Sequence, residues 1–258
     1  MLRCHFIACA ALFLVSVSDI AVASPPPAPT GAAGLRLDGF SSAPGAWKPS
    51  LAAAAPVPAP EAGQYALRFP CPFPQGDIER ITWDLDLRID LGESRGLRFH
   101  LLCGNPEPIS GFTFYYRSGG GWYSAPFSLN DLNTWNLVTV AKTEMGTEGN
   151  PAGWGNIDGI RIAAWRGGNA ATEFLIANAA LIPAEAPLAI VRGDWAARQH
   201  APESRAIQDA AKTAARLLDD LGLDYAVISD DDLTDRRVAG RKALILPYNP
   251  AMPDAATA

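Results

Sequence analysis

A strict alternation of apolar and polar residues in the stretch "IERITWDLDLRIDL" constrains the fold more than any other feature. The apolar residues occupy odd positions from Ile81 through Trp83 to Leu91, and polar residues occupy the even positions between them. Successive side chains of a strand point to opposite faces, so the pattern predicts a strand with one buried and one solvated face. Trp83 lies on the apolar face and is predicted to belong to the core.

Several shorter stretches have the same period, among them "ALRFPCPF", "GLRFHLLC", "FTFYYR", "WNLVTVAK", "IDGIRIAAW" and "TEFLIANAALI". Turns rich in Gly, Pro and Asn separate them, and no strong helical pattern precedes residue 200. Many short strands of this kind are typical of an antiparallel β-sandwich. We therefore predict a mainly β fold in which residues 35–183 form the sandwich.

Residues 187–258 show a different pattern. The apolar run "LAIVRGD" precedes a stretch with helical spacing, "PESRAIQDAAKTAARLLDDLG", and the apolar runs "DYAVIS" and "KALILPY" follow it. Strand, helix and strand in this order predict a βαβ unit with a parallel sheet. A doubly wound sheet usually has about five or more strands, so we interpret this part as an incomplete α/β domain. A natural three-stranded unit packed on the sandwich is the alternative.

The N-terminus has the three parts of a secretory signal peptide. Arg3 provides a positive charge, residues 6–17 are apolar but too short to span a bilayer, and Ala21-Val22-Ala23 matches a cleavage site. We predict a signal peptide over residues 1–23, cleaved after Ala23, and a Pro/Ala-rich linker over residues 24–34. The mature chain is then expected to be secreted or periplasmic, without a membrane span. The net charge of −6 argues against nucleic acid as a partner.

Signatures of catalysis are weak. Two histidines remain after the signal peptide, which leaves few candidates for the base of a Ser-His-Asp triad. A glycosidase would need two carboxylates about 5–10 Å apart, and a sequence gives no distances. Asp84, Asp86 and Asp90, on the solvated side of one strand, are more simply explained by salt bridges with Arg80 and Arg88. We interpret the region as non-catalytic and keep an enzyme within this chain as an alternative.

The mature chain contains two cysteines, Cys71 and Cys103, both at inward-facing positions of predicted strands. Inward positions disfavour a nucleophilic role. An exported protein matures in an oxidising compartment, which permits a disulfide between them. Two buried free thiols fit the sequence as well.

Aromatic and arginine residues are concentrated in and near the glycine-rich stretch "YYRSGGGWY". By alternation, Tyr115 and Trp165 point away from the core. An aromatic ring stacks on the apolar face of a sugar, while arginine hydrogen-bonds its polar edge. The alternative is that the rings cover the ends of the sandwich. The carbohydrate-binding surface that we predict consists of Tyr115, Arg117, Trp122, Tyr123, Trp154, Arg161 and Trp165.

Residues 35–182 resemble the jelly-roll carbohydrate-binding modules of secreted bacterial glycan-degrading proteins. The resemblance rests on "LRLDGF", "ITWDLDL", "FYYRSGGGWY", "WNLVTVAK", "GWGNIDGIRIAAWRG" and "EFLIANAAL" in this order. It implies an antiparallel jelly-roll sandwich that binds a polysaccharide or oligosaccharide without catalysis. Such modules often hold a structural calcium ion between the first and last strands, and Asp38 and Asn178 are the nearest matches to its ligands here. No other cofactor is expected.

Residues 187–258 resemble the start of a class I glutamine-amidotransferase-like, flavodoxin-like domain, on the features "LAIVRGD", "LGLDYAVISDDDL" and "KALILPYNP". In β-galactosidases and related glycosidases, a domain of this kind is non-catalytic and helps trimeric assembly. The amidotransferase cysteine lies later in such domains, so no activity is implied here. Together the two resemblances imply part of a secreted glycan-processing protein whose further domains are partners. The alternative is a β-sandwich that packs domains together without binding sugar.

Overall fold

The structure is a computed structural model that describes residues 44–59, 62, 66–75, 77–129, 131, 133–182 and 186–254. The predicted signal peptide and linker lie outside the described residues. Ten of the strands build a sandwich: β1 (Trp47–Pro49), β2 (Val57–Pro58), β3 (Ala66–Cys71), β4 (Arg80–Ile89), β5 (Gly96–Leu102), β6 (Ile109–Phe127), β7 (Asn136–Ala141), β8 (Gly146–Pro151), β9 (Ile157–Arg166) and β10 (Thr172–Ile182).

The strands of the sandwich form two five-stranded antiparallel sheets. The first has the order β1-β4-β9-β6-β8, and the second has the order β2-β3-β10-β5-β7. Buried side chains from both sheets form one core cluster, so the sheets pack face to face. The predicted antiparallel β-sandwich is therefore confirmed.

Aromatic rings dominate the core between the sheets. Trp83 of β4 contacts Phe69 and Phe174 of the opposite sheet edge-to-face, with ring centroids 5.6 and 5.3 Å apart. The Trp83 indole N–H donates to the carbonyl of Ala54 at 2.7 Å, so the buried polar atom has a partner. The alternation in β4 thus predicted the buried face correctly as far as Leu85. Beyond it a register shift between β4 and β9 leaves Leu87 only partly buried.

Strand β6 doubles back on itself. The ring centroids of Tyr115 and Trp122 are 5.9 Å apart, and those of Phe112 and Phe127 are 5.2 Å apart. A straight strand rises about 3.3 Å per residue, which would separate residues seven positions apart by about 23 Å. We infer a hairpin that reverses near Gly119, where φ is +55°. Its first half pairs with β9 and its second half with β8.

The structure holds Cys71 and Cys103 as free thiols, both buried. It thus selects the second of the two alternatives and does not contain the disulfide. The Cys103 thiol contacts the carbonyl of Glu173 at 3.4 Å. Burial raises the pKa of both thiols, which keeps them protonated and unreactive at neutral pH.

The C-terminal part contains the predicted parallel sheet. Strands β11 (Leu188–Arg192), β12 (Tyr225–Ser229) and β13 (Ala243–Ile245) pair in parallel with β11 in the centre. Its helices are α1 (Asp194–Gln199), α2 (Ser204–Asp220) and α3 (Asp235–Val238). Helix α2 packs Ala211, Ala215 and Leu218 against this sheet, as its spacing predicts. Within the described residues, no helix is long and apolar enough to cross a membrane.

A buried polar cluster, which we call the junction, joins the α/β unit to one end of the sandwich. Arg192 and Asp194 form an ion pair of 2.8 Å whose side chains are each 2% exposed. Arg192 also donates to the carbonyls of Lys142 and Met145, which follow β7. Asp194 accepts a hydrogen bond of 2.9 Å from the Trp154 indole. The sequence "RGD" is therefore a structural element at the end of β11 and the start of α1.

Lys142 lies inside the junction without exposed surface, and its ammonium donates to the carbonyls of Leu91 and Gly92. Burial lowers its pKa from 10.5 to about 7; the charges of Arg192 and Arg237 act in the same direction, and those of Asp194 and Asp232 oppose it. From about pH 7 to 10.5 the unfolded chain binds a proton that the folded chain has released, so stability must rise with pH across this window. Below it, both states are protonated and the effect is constant.

We therefore expect the urea midpoint of the wild type to rise between pH 7 and pH 10.5, apart from any contribution of other groups. The variant Lys142→Met lacks the titrating group. Its urea midpoint should therefore rise less with pH than that of the wild type. Unfolding followed by tryptophan fluorescence at a series of pH values measures both slopes. Equal slopes in the two proteins would show that Lys142 is not neutral in the folded chain.

Candidate functional site

The solvent side of the first sheet, which we call the outer face, carries most of the predicted site residues. Alternation places Asp84 of β4, Arg161 of β9 and Tyr115 of β6 in one row, because they are paired neighbours in the sheet. The hairpin of β6 adds Trp122 beside Tyr115. Three strands thus bring together side chains that are up to 77 positions apart in the sequence.

The ring of Trp122 is surrounded by side chains of this row. Its ring meets Tyr115 edge-to-face at 82°, and the guanidinium of Arg161 lies 4.6 Å from its centroid. Arg117 approaches the same ring at 5.9 Å. Trp122 remains partly exposed, whereas Tyr115 is only 7% exposed. Trp122 is therefore the ring that a ligand can reach, and Tyr115 supports it from the side.

Carboxylates hold the two arginines in place. Arg161 donates to both oxygens of Asp84, at 2.6 and 2.8 Å. Arg117 donates to Asp158 at 2.6 Å and to Asp86 at 2.8 Å. The bidentate pair fixes the plane of the Arg161 guanidinium, and a fixed plane favours stacking on an aromatic ring.

The pKa values of Asp86 and Asp158 do not suit acid catalysis. The hydrogen bond from Arg117 lowers the pKa of Asp158. Hydrogen bonds from Lys48 and then Arg117 lower the pKa of Asp86. A glycosidase acid needs a raised pKa to remain protonated near neutral pH. The pair Asp86 and Asp158 is therefore poorly suited to the role of acid and base.

Trp165 forms a second aromatic position on the outer face. Its indole N–H donates to the hydroxyl of Thr113 at 2.8 Å, and the guanidinium of Arg80 lies 4.8 Å from its ring. A groove of about 590 Å³ runs beside Trp165 and Arg166. A second groove of about 400 Å³ lies at the other end of the face, between Arg117 and Arg88. The face therefore offers open polar grooves on both sides of its aromatic residues.

Comparisons with solved structures find chains with low sequence identity and low structural similarity. TmCBM61 in complex with β-1,4-galactotriose is 17% identical over 56% of this chain and 93% of that chain, with a TM-score of 0.37. CBM27-1 of Caldicellulosiruptor saccharolyticus in complex with mannohexaose is 13% identical over 60% of this chain and 98% of that chain, with a TM-score of 0.36. The agarase AgWH50C is 12% identical over 61% of this chain, with a TM-score of 0.42.

The match to the agarase spans 28% of the length of that chain. The structural neighbours thus include carbohydrate-binding modules. No protein-family model and no curated protein matches the sequence.

Two of the predicted site residues lie away from the outer face. Tyr123 and Trp154 have no exposed surface, and their rings stack at 3.8 Å with an angle of 13° between their planes. Arg192 of the junction lies 5.3 Å from the Trp154 ring. A sugar can stack only on an exposed ring, so we omit both residues from the candidate site. They act as the covers of the sandwich end that the alternative interpretation describes.

The described residues include one of the two predicted calcium ligands. Asp38 lies outside the described residues, and Asn178 sits at an irregularity of β10 with φ of +55°. No group of three or more His, Cys, Asp or Glu side chains that could hold a metal ion occurs in the part of the chain that the structure describes. Asn178 thus has a local structural role, because asparagine tolerates the left-handed conformation better than most residues.

Sequence reasoning missed the contributions of Arg80, Asp84 and Asp158 to the outer face. From the sequence, the aspartates of β4 were predicted to pair with Arg80 and Arg88 of the same strand. The structure instead pairs Asp84 with Arg161 of the neighbouring strand and Asp86 with Arg117. The available signal was that Asp84 and Arg161 both lie on the polar side of alternating strands, but their register was unknown.

Proposed function

We propose that this chain is a non-catalytic carbohydrate-binding module whose outer face binds a polysaccharide or oligosaccharide. The observation that carries the proposal is the partly exposed Trp122, held by Tyr115 and Arg161 on the outer face. Its ring would stack on the apolar face of a sugar, and Trp165 would provide a second stacking position. Arg117 and its partner Asp158 would hydrogen-bond the hydroxyl groups at the sugar edge.

The wider context belongs to the same proposal. A secreted or periplasmic, multidomain glycan-processing protein is supported by the signal-peptide pattern of residues 1–23. A jelly-roll sandwich is supported by the two antiparallel sheets. The proposal includes an amidotransferase-like start of an α/β domain; its flavodoxin-like character is supported by the strand order β12-β11-β13, since flavodoxin-like sheets begin with the order 2-1-3.

Replacement of Trp122 by alanine is expected to weaken glycan binding about tenfold or more, because stacking adds about 0.5–1.5 kcal/mol beyond the buried area. Affinity electrophoresis of residues 24–258 through gels that contain different polysaccharides measures this directly. Tyr248→Ala is the control, since Tyr248 is a 40% exposed aromatic residue of the α/β unit. If Trp122→Ala is retarded as strongly as Tyr248→Ala, the glycan does not bind at Trp122.

The second candidate function is a packing module that holds domains together. The buried stack of Tyr123 and Trp154 against the junction favours it, because these rings already serve an interface. A folded chain that no polysaccharide retards would support this function and overturn the first.

A further inference from the structure

The basic side chains of the outer face are already engaged. Arg161 is held by both oxygens of Asp84, Arg117 is shared by Asp158 and Asp86, and Lys48 also pairs with Asp86. These contacts use the guanidinium edges that would otherwise bind a carboxylate or sulfate in a bidentate manner.

The remaining cations of the face do not provide a free anion site either. Arg80 lies over the Trp165 ring and donates to the hydroxyl of Tyr115 at 3.3 Å. Arg88 lines a groove together with Asp86 and Asp158. The groove beside Trp165 is lined by Asp77 and Glu79 as well as Arg166. Each groove thus combines its arginine with carboxylates, and the whole chain carries a net charge of −6.

From this arrangement we infer that the ligand of the outer face is an uncharged polysaccharide, an inference that rests on the proposed carbohydrate-binding function. An anionic sugar would have to displace Asp84 or Asp158 from its arginine and would face the freed carboxylate. A neutral sugar avoids this cost. Its hydroxyl groups both donate and accept, so they match an arginine and an aspartate that lie side by side.

The test compares neutral and acidic polymers of the same backbone. Residues 24–258 are run through gels that contain hydroxyethylcellulose or carboxymethylcellulose, and in parallel methyl-esterified polygalacturonate or polygalacturonate. We expect retardation by a neutral member of a pair, unchanged between about 20 and 500 mM salt, because screening has little effect on uncharged ligands. Retardation by acidic polymers alone, lost at high salt, would overturn this inference and leave the proposed function intact. Retardation in none of the gels would overturn the proposed function together with the inference.

A variant of the same face tests the role of the ion pair. Asp84→Asn frees the Arg161 guanidinium, so this variant is expected to gain salt-sensitive retardation in the acidic gels, by about tenfold in affinity. Asp158→Asn removes one of the two carboxylates that hold Arg117, which keeps its contact with Asp86, and provides a second variant with a smaller expected gain. Asp219→Asn is the matched control, because Asp219 pairs with Arg95 on another side of the molecule. If both outer-face variants behave like the control, paired arginines are not what excludes anionic sugars.

Discussion

Replacement of Trp154 by alanine is expected to lower the free energy of unfolding by about 3–5 kcal/mol. Trp154 has no exposed surface, stacks on Tyr123 and contacts Tyr116 edge-to-face. Its removal would leave a cavity where the sandwich meets the α/β unit. It would also remove the N–H that donates to the carboxylate of Asp194. Urea unfolding followed by circular dichroism measures the loss.

The conservative variant Trp154→Phe keeps a six-membered aromatic ring and removes the five-membered ring with its N–H. We therefore expect a smaller loss than for Trp154→Ala, of which about 1–3 kcal/mol comes from the unpaired carboxylate oxygen of Asp194. Trp154 stacks on Tyr123, and Tyr123 directly follows Trp122 in the hairpin. The variant Trp154→Ala should therefore also weaken glycan binding. An alanine variant as stable as the wild type would show that the junction is open in solution.

Replacement of Asp194 by alanine is expected to cost a similar amount, about 3–5 kcal/mol, because it leaves the Arg192 guanidinium buried without a counter-charge. The ion pair is 2.8 Å long and both side chains are 2% exposed, so water cannot compensate for the loss. The Trp154 indole N–H would lose its acceptor in the same variant. Thermal and urea unfolding of the full chain provide the measurement.

The double variant Arg192→Met with Asp194→Leu tests this explanation. Apolar side chains of similar volume often replace a buried ion pair without loss, so the double variant should be more stable than Asp194→Ala alone. If the double variant is the less stable of the two, the cost of Asp194→Ala comes from lost packing rather than from an unpaired charge. In the double variant the carbonyls of Lys142 and Met145 also lose the hydrogen bonds from Arg192. The double variant should therefore remain less stable than the wild type.

The elements of the fold could be predicted from local patterns. Period-two alternation in β4 predicted a buried Trp83, and the helical spacing after Pro202 predicted the buried face of α2 at Ala211 and Leu218. Helix α1 was missed, because six residues are too few to show a helical period. The same helical spacing includes Leu217 and Leu221, which the structure leaves exposed.

The candidate site could be predicted only in part. Arg117, Trp122, Arg161 and Trp165 share the outer face, while Tyr123 and Trp154 are interior. Trp122 and Tyr123 are neighbours in sequence and point to opposite faces of the sheet. A shift of the strand register by one residue would exchange which of them faces solvent. The hairpin turn near Gly119 sets that phase, and its geometry depends on pairing with β8 and β9.

The sequence by itself determined which residues form strands, which strand faces are apolar, and that a parallel βαβ unit follows a sandwich. These properties are local, since they depend on backbone periodicity and on neighbours within a few positions. Only the tertiary structure decided that Arg161 pairs with Asp84, that Trp122 lies beside Tyr115, and that the α/β unit buries Trp154. Such contacts depend on strand register and on the packing of distant segments, which a local pattern does not encode.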